Sequence, residues 1–89
     1  EFAQPVADVM RQHHERLDGS GYPAGLSGDQ ILLEARILAV ADTVDAMAND
    51  RPYRKAPGMA AALDVLKQSA GTHYDADVVA ALRRMLAAV

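Results

Sequence analysis

Two adjacent histidines, His13 and His14, followed by Glu15, are the first residues of the sequence whose types could do chemistry. Neutral imidazole nitrogens are good ligands for transition metals. Successive residues of a helix point about 100° apart, so both rings could face one cavity. A histidine pair near a helix end is also often solvent-exposed or capping, and spacing alone leaves both interpretations open. His13 shares the apolar stripe of its segment, so we expect its ring to be partly buried and to need a polar partner.

Asp42 lies within a long apolar segment, residues 39–45, where an unpaired carboxylate would be costly. A metal ion, a histidine or an arginine could compensate its charge, and an ion pair with Arg36 or with a neighbouring helix would do so without any catalytic role. At about 100° per residue, Asp42 shares an arc of roughly 80° with three other polar residues, which are Glu34, Asp45 and Asn49. Spacing favours neither interpretation, but we expect Asp42 to face inward.

Residues 18–29, here called the glycine-rich loop, begin with Asp18-Gly19-Ser20-Gly21-Tyr22-Pro23. Glycine permits positive φ and lets a backbone approach another surface closely. Asp18 can accept hydrogen bonds from its own downstream N–H groups in an Asx-type turn. A simple exit turn needs only one or two glycines, and Tyr22-Pro23 goes beyond that requirement. The length of the loop therefore favours a functional segment over a mere connection.

Three cations and one aromatic ring are concentrated in Arg51-Pro52-Tyr53-Arg54-Lys55, in a chain whose net charge is −3. Arginine can bind phosphate through a bidentate fork, so this basic loop (residues 50–58) could be an anion site. The same cations could instead neutralise the C-terminal end of the preceding helix. Both interpretations stay open at this point. The acidic balance of the whole chain argues against nonspecific DNA binding.

Four helices have to position these residues. The spacing of apolar residues predicts them over Pro5 to Arg16 or Leu17, Gln30 to Asn49, Met59 to Ala70, and Ala76 to Ala88. The second is apolar on nearly every side, which is typical of a helix in the middle of a domain. Gly71 is expected to end the third helix, and Asp75 to cap the fourth. No segment has the pattern of a strand, so we predict an all-α, four-helix partial bundle without a sheet.

The length of 89 residues fits one small domain or part of one. The hydrophobic fraction is 51%, but many of these residues are alanines, so the core volume is thin. The absence of cysteine excludes disulfides and thiolate zinc sites and fits a cytoplasmic location. No apolar run predicts a membrane span and no signal peptide is recognisable. The chain begins with Glu1-Phe2 and no methionine, which we interpret as a cut end with a two-residue vector remnant.

In this order, the motifs resemble the conserved blocks of the HD-GYP branch of the HD hydrolase superfamily. The blocks are His13-His14-Glu15, residues 18–23, residues 35–47, residues 51–54 and residues 71–75. The resemblance covers almost the whole chain, and the pattern HHE-xx-DGxGYP is highly specific. It implies that residues 1–89 are the C-terminal portion of an HD-GYP domain, a helical HD-type bundle.

The resemblance implies a metal-dependent activity. Members of that family are bacterial phosphodiesterases that hydrolyse cyclic di-GMP with two or three divalent metal ions, often iron or manganese. The positions that match the family's ligands are His13, His14 and Asp42. Metal-assisted hydrolysis is the implied mechanism.

The same resemblance implies roles for the two loops. It makes Arg51 and Arg54 the residues that hold the substrate. It makes Gly21, Tyr22 and Pro23 the substrate-facing part of the glycine-rich loop and, in some members, a surface for a diguanylate cyclase or an adaptor. Glu15, which precedes the loop, and Asp18 and Gly19 at its beginning are expected to give the loop its structure.

The His-Asp pair that names the superfamily does not occur in this chain, and the resemblance places it upstream with further ligands. Three ligands cannot complete a two-metal cage. We therefore expect the isolated chain to bind at most one metal ion weakly and to be inactive, while the longer protein hydrolyses cyclic di-GMP. The alternative is a non-catalytic interaction module whose glycine-rich loop docks a signalling partner. We also expect the isolated chain either to self-associate, with exchange of helices, or to be loosely packed, because its second helix needs neighbours on all sides and only three other helices are predicted.

Overall fold

The computed structural model describes residues 4–87, with side chains from residue 6 onward. Its helices are α1 (Gln4–Gln12), α2 (Leu33–Ala48), α3 (Met59–Ser69) and α4 (Ala76–Ala87), with a 3-10 turn at Gly28–Gln30. Within residues 4–87 there is no strand, and the extended segments form only isolated backbone bridges. The predicted four helices without a sheet are confirmed. Glu1 and Phe2, which we interpret as a vector remnant, lie outside the described residues. So does Ala88, the predicted last residue of the fourth helix.

The centre of the fold is α2, which contacts each of the other three helices. The core is a cluster of one buried residue from each of α2, α3 and α4, namely Val40, Leu66 and Val79. Tyr74, from the turn between α3 and α4, packs against this cluster. Full burial of one such aliphatic side chain contributes about 1.5–3 kcal/mol, so a core this small is marginal. The predicted central position of the second helix is confirmed.

The first helix is shorter than its apolar pattern predicts, because α1 ends at Gln12 and not near Arg16. The Glu15 N–H donates to the Gln12 carbonyl over 2.9 Å, which closes a tight turn instead of another helical turn. The side chain of Glu15 is drawn into the glycine-rich loop, where it accepts two backbone hydrogen bonds. His13 and His14 therefore lie in a turn after α1, and the expectation that they lie on a helix was wrong.

The second helix begins three residues later than predicted. Gln30 belongs to the 3-10 turn, where its Oε1 accepts a hydrogen bond of 3.0 Å from the Ser27 N–H. Ile31 follows in extended conformation and is only 2% exposed, so this residue is inserted into the interior before the helix starts. The Leu32 N–H donates to Oε1 of Gln12 over 2.8 Å, which joins the end of α1 to the beginning of α2.

The two remaining predictions on helix ends are confirmed. Gly71 lies just beyond α3 with a φ of +85°, the left-handed conformation that glycine adopts without strain. Asp75 caps α4, since its Oδ1 accepts hydrogen bonds from the N–H groups of Asp77 (2.8 Å) and Val78 (3.0 Å).

One face of the molecule exposes much apolar surface. A groove of about 740 Å³ lies between α2 and α4 and is also lined by Met59, the first residue of α3. Its lining is mostly apolar and includes Ile37, which is 48% exposed, and Met85, which is 68% exposed. Three neighbouring helices therefore do not cover α2 completely. None of the helices within residues 4–87 is both long enough and apolar enough to cross a membrane.

Candidate functional site

A second cavity, a cleft of about 250 Å³, lies between the turn after α1 and the side of α2. We call it the histidine cleft. Its polar lining is contributed by three parts of the chain, namely His13, His14, Glu15, Arg16 and Tyr22 on one wall, Asp42 and Thr43 on α2, and His73 and Tyr74 at one end. Residues that are far apart in the sequence thus meet in one concave site.

His13 has a fixed orientation in the cleft. Its Nδ1 lies 2.6 Å from the Met10 carbonyl oxygen, which can only accept, so Nδ1 carries the proton. In the neutral ring, Nε2 then has a free lone pair, and it faces Oδ2 of Asp42 at 3.4 Å. The His13 side chain is 13% exposed, which confirms that it is partly buried and has a polar partner. Two acceptors that face each other repel, and a proton or a metal ion between them would remove the repulsion.

Asp42 is not buried. Its side chain is 57% exposed, so the expectation that it faces inward within an apolar environment was wrong. The periodicity of α2 correctly placed Asp42 on the polar arc, but this arc borders the cleft and solvent. The side chain that faces it is His13, whereas Arg36, the alternative partner, pairs with Asp75.

His14 makes a different set of contacts. Its ring is stacked on Tyr22, with ring centroids 4.9 Å apart and planes 15° apart, and it lies 3.8 Å from the His13 ring. Over residues 4–87, no three His, Asp or Glu side chains converge in a geometry that could hold a metal ion. In this arrangement, the donor atoms that could bind one metal ion together are those of His13 and Asp42. His14 is stacked on Tyr22 and does not join them.

Glu15 and Gly21 hold the glycine-rich loop against the histidines. The carboxylate of Glu15, a residue only 4% exposed, accepts hydrogen bonds from the N–H groups of Ala24 (2.8 Å) and Leu26 (2.9 Å). A Cβ on Gly21 would lie 2.4 Å from the His14 carbonyl oxygen, so no side chain fits at this position. The next residue, Tyr22, is 61% exposed and joined to Pro23 by a cis peptide bond.

Asp18 begins this loop and forms the predicted Asx-type turn. Its Oδ1 accepts a hydrogen bond of 2.9 Å from the Ser20 N–H, and Gly19 between them has a φ of +83°. Hydrogen bonds from the side chain and backbone of Ser20, with smaller contributions from His73 and Arg16, hold the pKa of Asp18 below its ordinary value. The carboxylate is therefore ionised at neutral pH and faces His73.

The basic loop is folded against the end of α2. Arg51 forms an ion pair of 3.2 Å with Asp45, and Arg54 donates a hydrogen bond of 2.7 Å to the Ala46 carbonyl. The backbones of the two arginines also pair with each other. These contacts are those expected of cations that neutralise the end of a helix. Neither arginine lines the histidine cleft.

Sequence reasoning missed three long-range side-chain pairs, of which two lie at the histidine cleft and one joins α2 to the beginning of α4. Arg16 binds His73 across 57 positions, Thr43 binds Tyr74 across 31, and Arg36 binds Asp75 across 39. No spacing rule connects such distant positions. The only available signal was that His73 and Tyr74 lie in the segment that closes the family resemblance.

Comparisons with known proteins agree with the motifs. The model of a family described as "HD domain" matches residues 1–78. The chain is 52% identical over 83 residues to the cyclic di-GMP phosphodiesterase response regulator RpfG of Xanthomonas campestris pv. campestris, covering 93% of the chain and 22% of that relative. It is 45% identical over 81 residues to the 3'3'-cGAMP-specific phosphodiesterase 3 of Vibrio cholerae, covering 91% of the chain and 18% of that relative. A cyclic di-GMP phosphodiesterase of Thermotoga maritima is 39% identical over 79 residues, which cover 89% of the chain and 22% of that relative.

The chain spans only about a fifth of the length of these relatives. The family model covers most of the chain, and the relatives bear the names of cyclic-dinucleotide phosphodiesterases. Both findings confirm the resemblance to HD-GYP phosphodiesterases that the motifs carry. The chain belongs to the HD domain family.

Proposed function

We propose that this chain is part of a metal-dependent phosphodiesterase that hydrolyses cyclic di-GMP in the bacterial cytoplasm. The observation that carries the proposal is the pair of His13 and Asp42. The proton on Nδ1 of His13 leaves the Nε2 lone pair directed at Oδ2 of Asp42, 3.4 Å away. A hydrogen bond from the distal nitrogen of a histidine to a carbonyl is the usual support for a metal-ligating ring. The names of the relatives support the reaction and the substrate class.

His13 and Asp42 would hold one metal ion from two sides of the cleft. His14 would join them after its ring turns away from Tyr22. The further ligands of a two- or three-metal centre, with iron or manganese, would come from outside this chain. When bound, the metal supplies an activated water and withdraws charge from the phosphate.

The chain's own residues would then bind and orient the dinucleotide. Arg51 could exchange its exposed partner Asp45 for a substrate phosphate at little cost, because surface ion pairs contribute at most about 1 kcal/mol. Arg54 would contribute a second guanidinium after release of the Ala46 carbonyl. Tyr22, exposed and stacked on His14, offers an aromatic face to a guanine base.

The test is hydrolysis of cyclic di-GMP by the full-length protein with manganese. Asp42→Asn and His13→Ala should each lower kcat by about a hundredfold or more. Mutation of a residue that only supports a metal ligand already lowers metal affinity or activity by about 10–100-fold. Glu34→Gln is the matched control, because Glu34 is an exposed carboxylate on the same helix and does not line the cleft. Full activity of Asp42→Asn would contradict the proposal. Parallel assays with 3'3'-cGAMP decide between the two substrates named among the relatives.

A non-catalytic docking function is the second candidate, and the glycine-rich loop favours it. The loop is held firmly by Glu15 and presents Tyr22 and Pro23 on the surface. Such a rigid exposed loop suits a diguanylate cyclase or an adaptor as partner. Two results together would favour this function. The wild-type protein would neither bind manganese nor hydrolyse either dinucleotide, and it would bind a diguanylate cyclase with an affinity that is lost in Tyr22→Ala.

A further inference from the structure

His73 lies between Arg16 and Asp18 at one end of the cleft. Its Nδ1 is 2.8 Å from a guanidinium nitrogen of Arg16, which can only donate, so Nδ1 accepts and Nε2 carries the proton. That Nε2 faces Oδ2 of Asp18 at 3.7 Å. The backbone adds a hydrogen bond of 2.9 Å from the Asp18 N–H to the Thr72 carbonyl. His73 therefore has the tautomer opposite to that of His13, with no free lone pair to offer a metal.

Tyr74 makes the corresponding contact with the opposite wall. Its hydroxyl lies 2.9 Å from Oγ1 of Thr43, the residue directly after Asp42. Oγ1 of Thr43 also lies 3.0 Å from the Ala39 carbonyl, which can only accept. A hydroxyl has one proton, so Thr43 gives its proton to the carbonyl and Tyr74 donates to Thr43.

The segment that carries both side chains, residues 70–74, is internally rigid, and we call it the closing turn. The N–H groups of His73 (3.0 Å) and Tyr74 (3.2 Å) both donate to the Ser69 carbonyl. The Gly71 N–H donates to the Tyr74 carbonyl over 2.8 Å. The ring of Tyr74 also packs against the core cluster. The backbones of His73 and Tyr74 are therefore fixed relative to each other.

We propose that the closing turn is a positioning element that sets the separation between His13 and Asp42. His73 holds the segment of Arg16 and Asp18 that follows the histidines, and Tyr74 holds α2 next to Asp42. The inference rests on the proposed function. A metal site tolerates only about 0.2 Å of error in its ligand distances, so the two walls of the cleft must be held at a fixed separation. Among the described residues, the closing turn is the segment whose side chains contact both walls of the cleft, the one after α1 and the one on α2.

The test uses the full-length protein and two pairs of variants. Tyr74→Phe removes the hydroxyl that reaches Thr43 but keeps the ring in the core. Its control is Tyr53→Phe, the same loss of a hydroxyl at a tyrosine that is 84% exposed and lines neither the cleft nor the closing turn. His73→Ala removes both contacts of the ring, whereas His73→Gln keeps one acceptor and one donor.

We expect Tyr74→Phe and His73→Ala to weaken manganese binding by about 10–100-fold and to lower kcat, with KM nearly unchanged. Tyr53→Phe should equal the wild type, and His73→Gln should recover most of the affinity. Unchanged affinity in Tyr74→Phe would overturn the inference, as would a His73→Gln as weak as His73→Ala, which would make His73 a ligand or a base.

A measurement on the metal-free protein separates this inference from the proposed function. The ring nitrogens of His13, observed by NMR, should shift in Tyr74→Phe and remain unchanged in Tyr53→Phe. A wild-type protein that binds no manganese would refute the proposed function and with it the positioning of ligands. A wild-type protein that binds manganese, with a His13 spectrum unaffected by Tyr74→Phe, would refute the positioning role alone.

Discussion

Arg36 on α2 and Asp75, 39 positions later, form an ion pair that joins the beginning of α2 to the beginning of α4. Oδ2 of Asp75 accepts the hydrogen bond from Arg36, while Oδ1 caps α4 through the Asp77 and Val78 N–H groups. Asp75 is only 8% exposed, so little water competes with these contacts. A single carboxylate therefore fixes the position of two helices, at a distance from the histidine cleft.

Replacement of Asp75 should lower stability in two steps. Asp75→Asn keeps a cap oxygen but loses the charge opposite Arg36, and should reduce the free energy of unfolding by about 1–3 kcal/mol. Asp75→Ala also loses the cap, which costs about 1 kcal/mol more. Urea denaturation measures both. The control is Asp77→Asn, an exposed carboxylate in the first turn of α4, and an equal loss in this variant would contradict the assignment.

The same carboxylate should make stability depend on acidic pH. Burial raises the pKa of Asp75, but hydrogen bonds from Val78, Arg36 and Asp77 outweigh burial and leave the pKa below its ordinary value. The folded-state pKa lies below that of the unfolded chain, which is about 3.9, so its contribution is present above that pH. As pH falls through the folded-state pKa, the contribution is lost. The difference in unfolding free energy between wild type and Asp75→Asn should therefore be constant from pH 7 to about 5 and shrink below about 4.

Gly21→Ala should displace the glycine-rich loop. The added Cβ would meet the His14 carbonyl oxygen at 2.4 Å and the Arg16 backbone nitrogen at 2.6 Å, and neither backbone atom can yield like a flexible side chain. Gly28→Ala is the control, because no atom lies within 4 Å of its Cβ and only its φ of +51° is strained, at about 1–2 kcal/mol. Nuclear Overhauser contacts between His14 and Tyr22 should disappear in Gly21→Ala and persist in Gly28→Ala. Persistence in both variants would contradict the close packing at Gly21.

Glu15→Gln should loosen the same loop without any steric clash. The two carboxylate oxygens accept from Ala24 and Leu26, whereas a glutamine amide has one oxygen and must turn its NH₂ group toward the other N–H. The orphaned donor costs about 1–3 kcal/mol in this buried position. Hydrogen exchange of the Ala24 and Leu26 amides should accelerate in Glu15→Gln. Exchange as slow as in the wild type would show that the loop does not depend on this carboxylate.

The isolated chain should self-associate through the apolar groove. Contiguous exposed apolar surface of this kind is typical of interaction sites, and a second copy offers the same apolar face. Met85→Lys, together with Ile37→Lys, should shift the chain toward monomer in sedimentation experiments, since both side chains line the groove and are largely exposed. A wild-type chain that is monomeric and unfolds cooperatively would contradict this expectation.

Local patterns predicted much of the fold because helices and their ends depend on near neighbours. The four helices, the stop at Gly71 and the cap at Asp75 all follow from residues within one or two turns. The early end of α1 was missed for the opposite reason. There the Leu17 and Asp18 N–H groups donate to the His73 and Thr72 carbonyls, far along the chain, and a helical continuation would have removed these bonds.

The candidate site was predicted in its residue types but not in its geometry. The motif predicted His13 and Asp42 as metal ligands, and the structure places both side chains in one cleft. The exposure of Asp42 was missed, because periodicity groups residues on one face of a helix but does not tell which face is covered. The contacts of His73 had no local signature, since its partners Arg16 and Asp18 lie more than fifty positions earlier in the chain.

The way in which the glycine-rich loop is closed has a kinetic consequence. The Gly28 N–H donates to the Leu17 carbonyl over 3.0 Å, and the Asp18 N–H donates to the Thr72 carbonyl over 2.9 Å, so both ends of the loop are fixed at its base. Glu15 fixes its middle. This segment is therefore a stationary wall and not a lid, and in the proposed phosphodiesterase the rates of substrate entry and product release should not be limited by its opening.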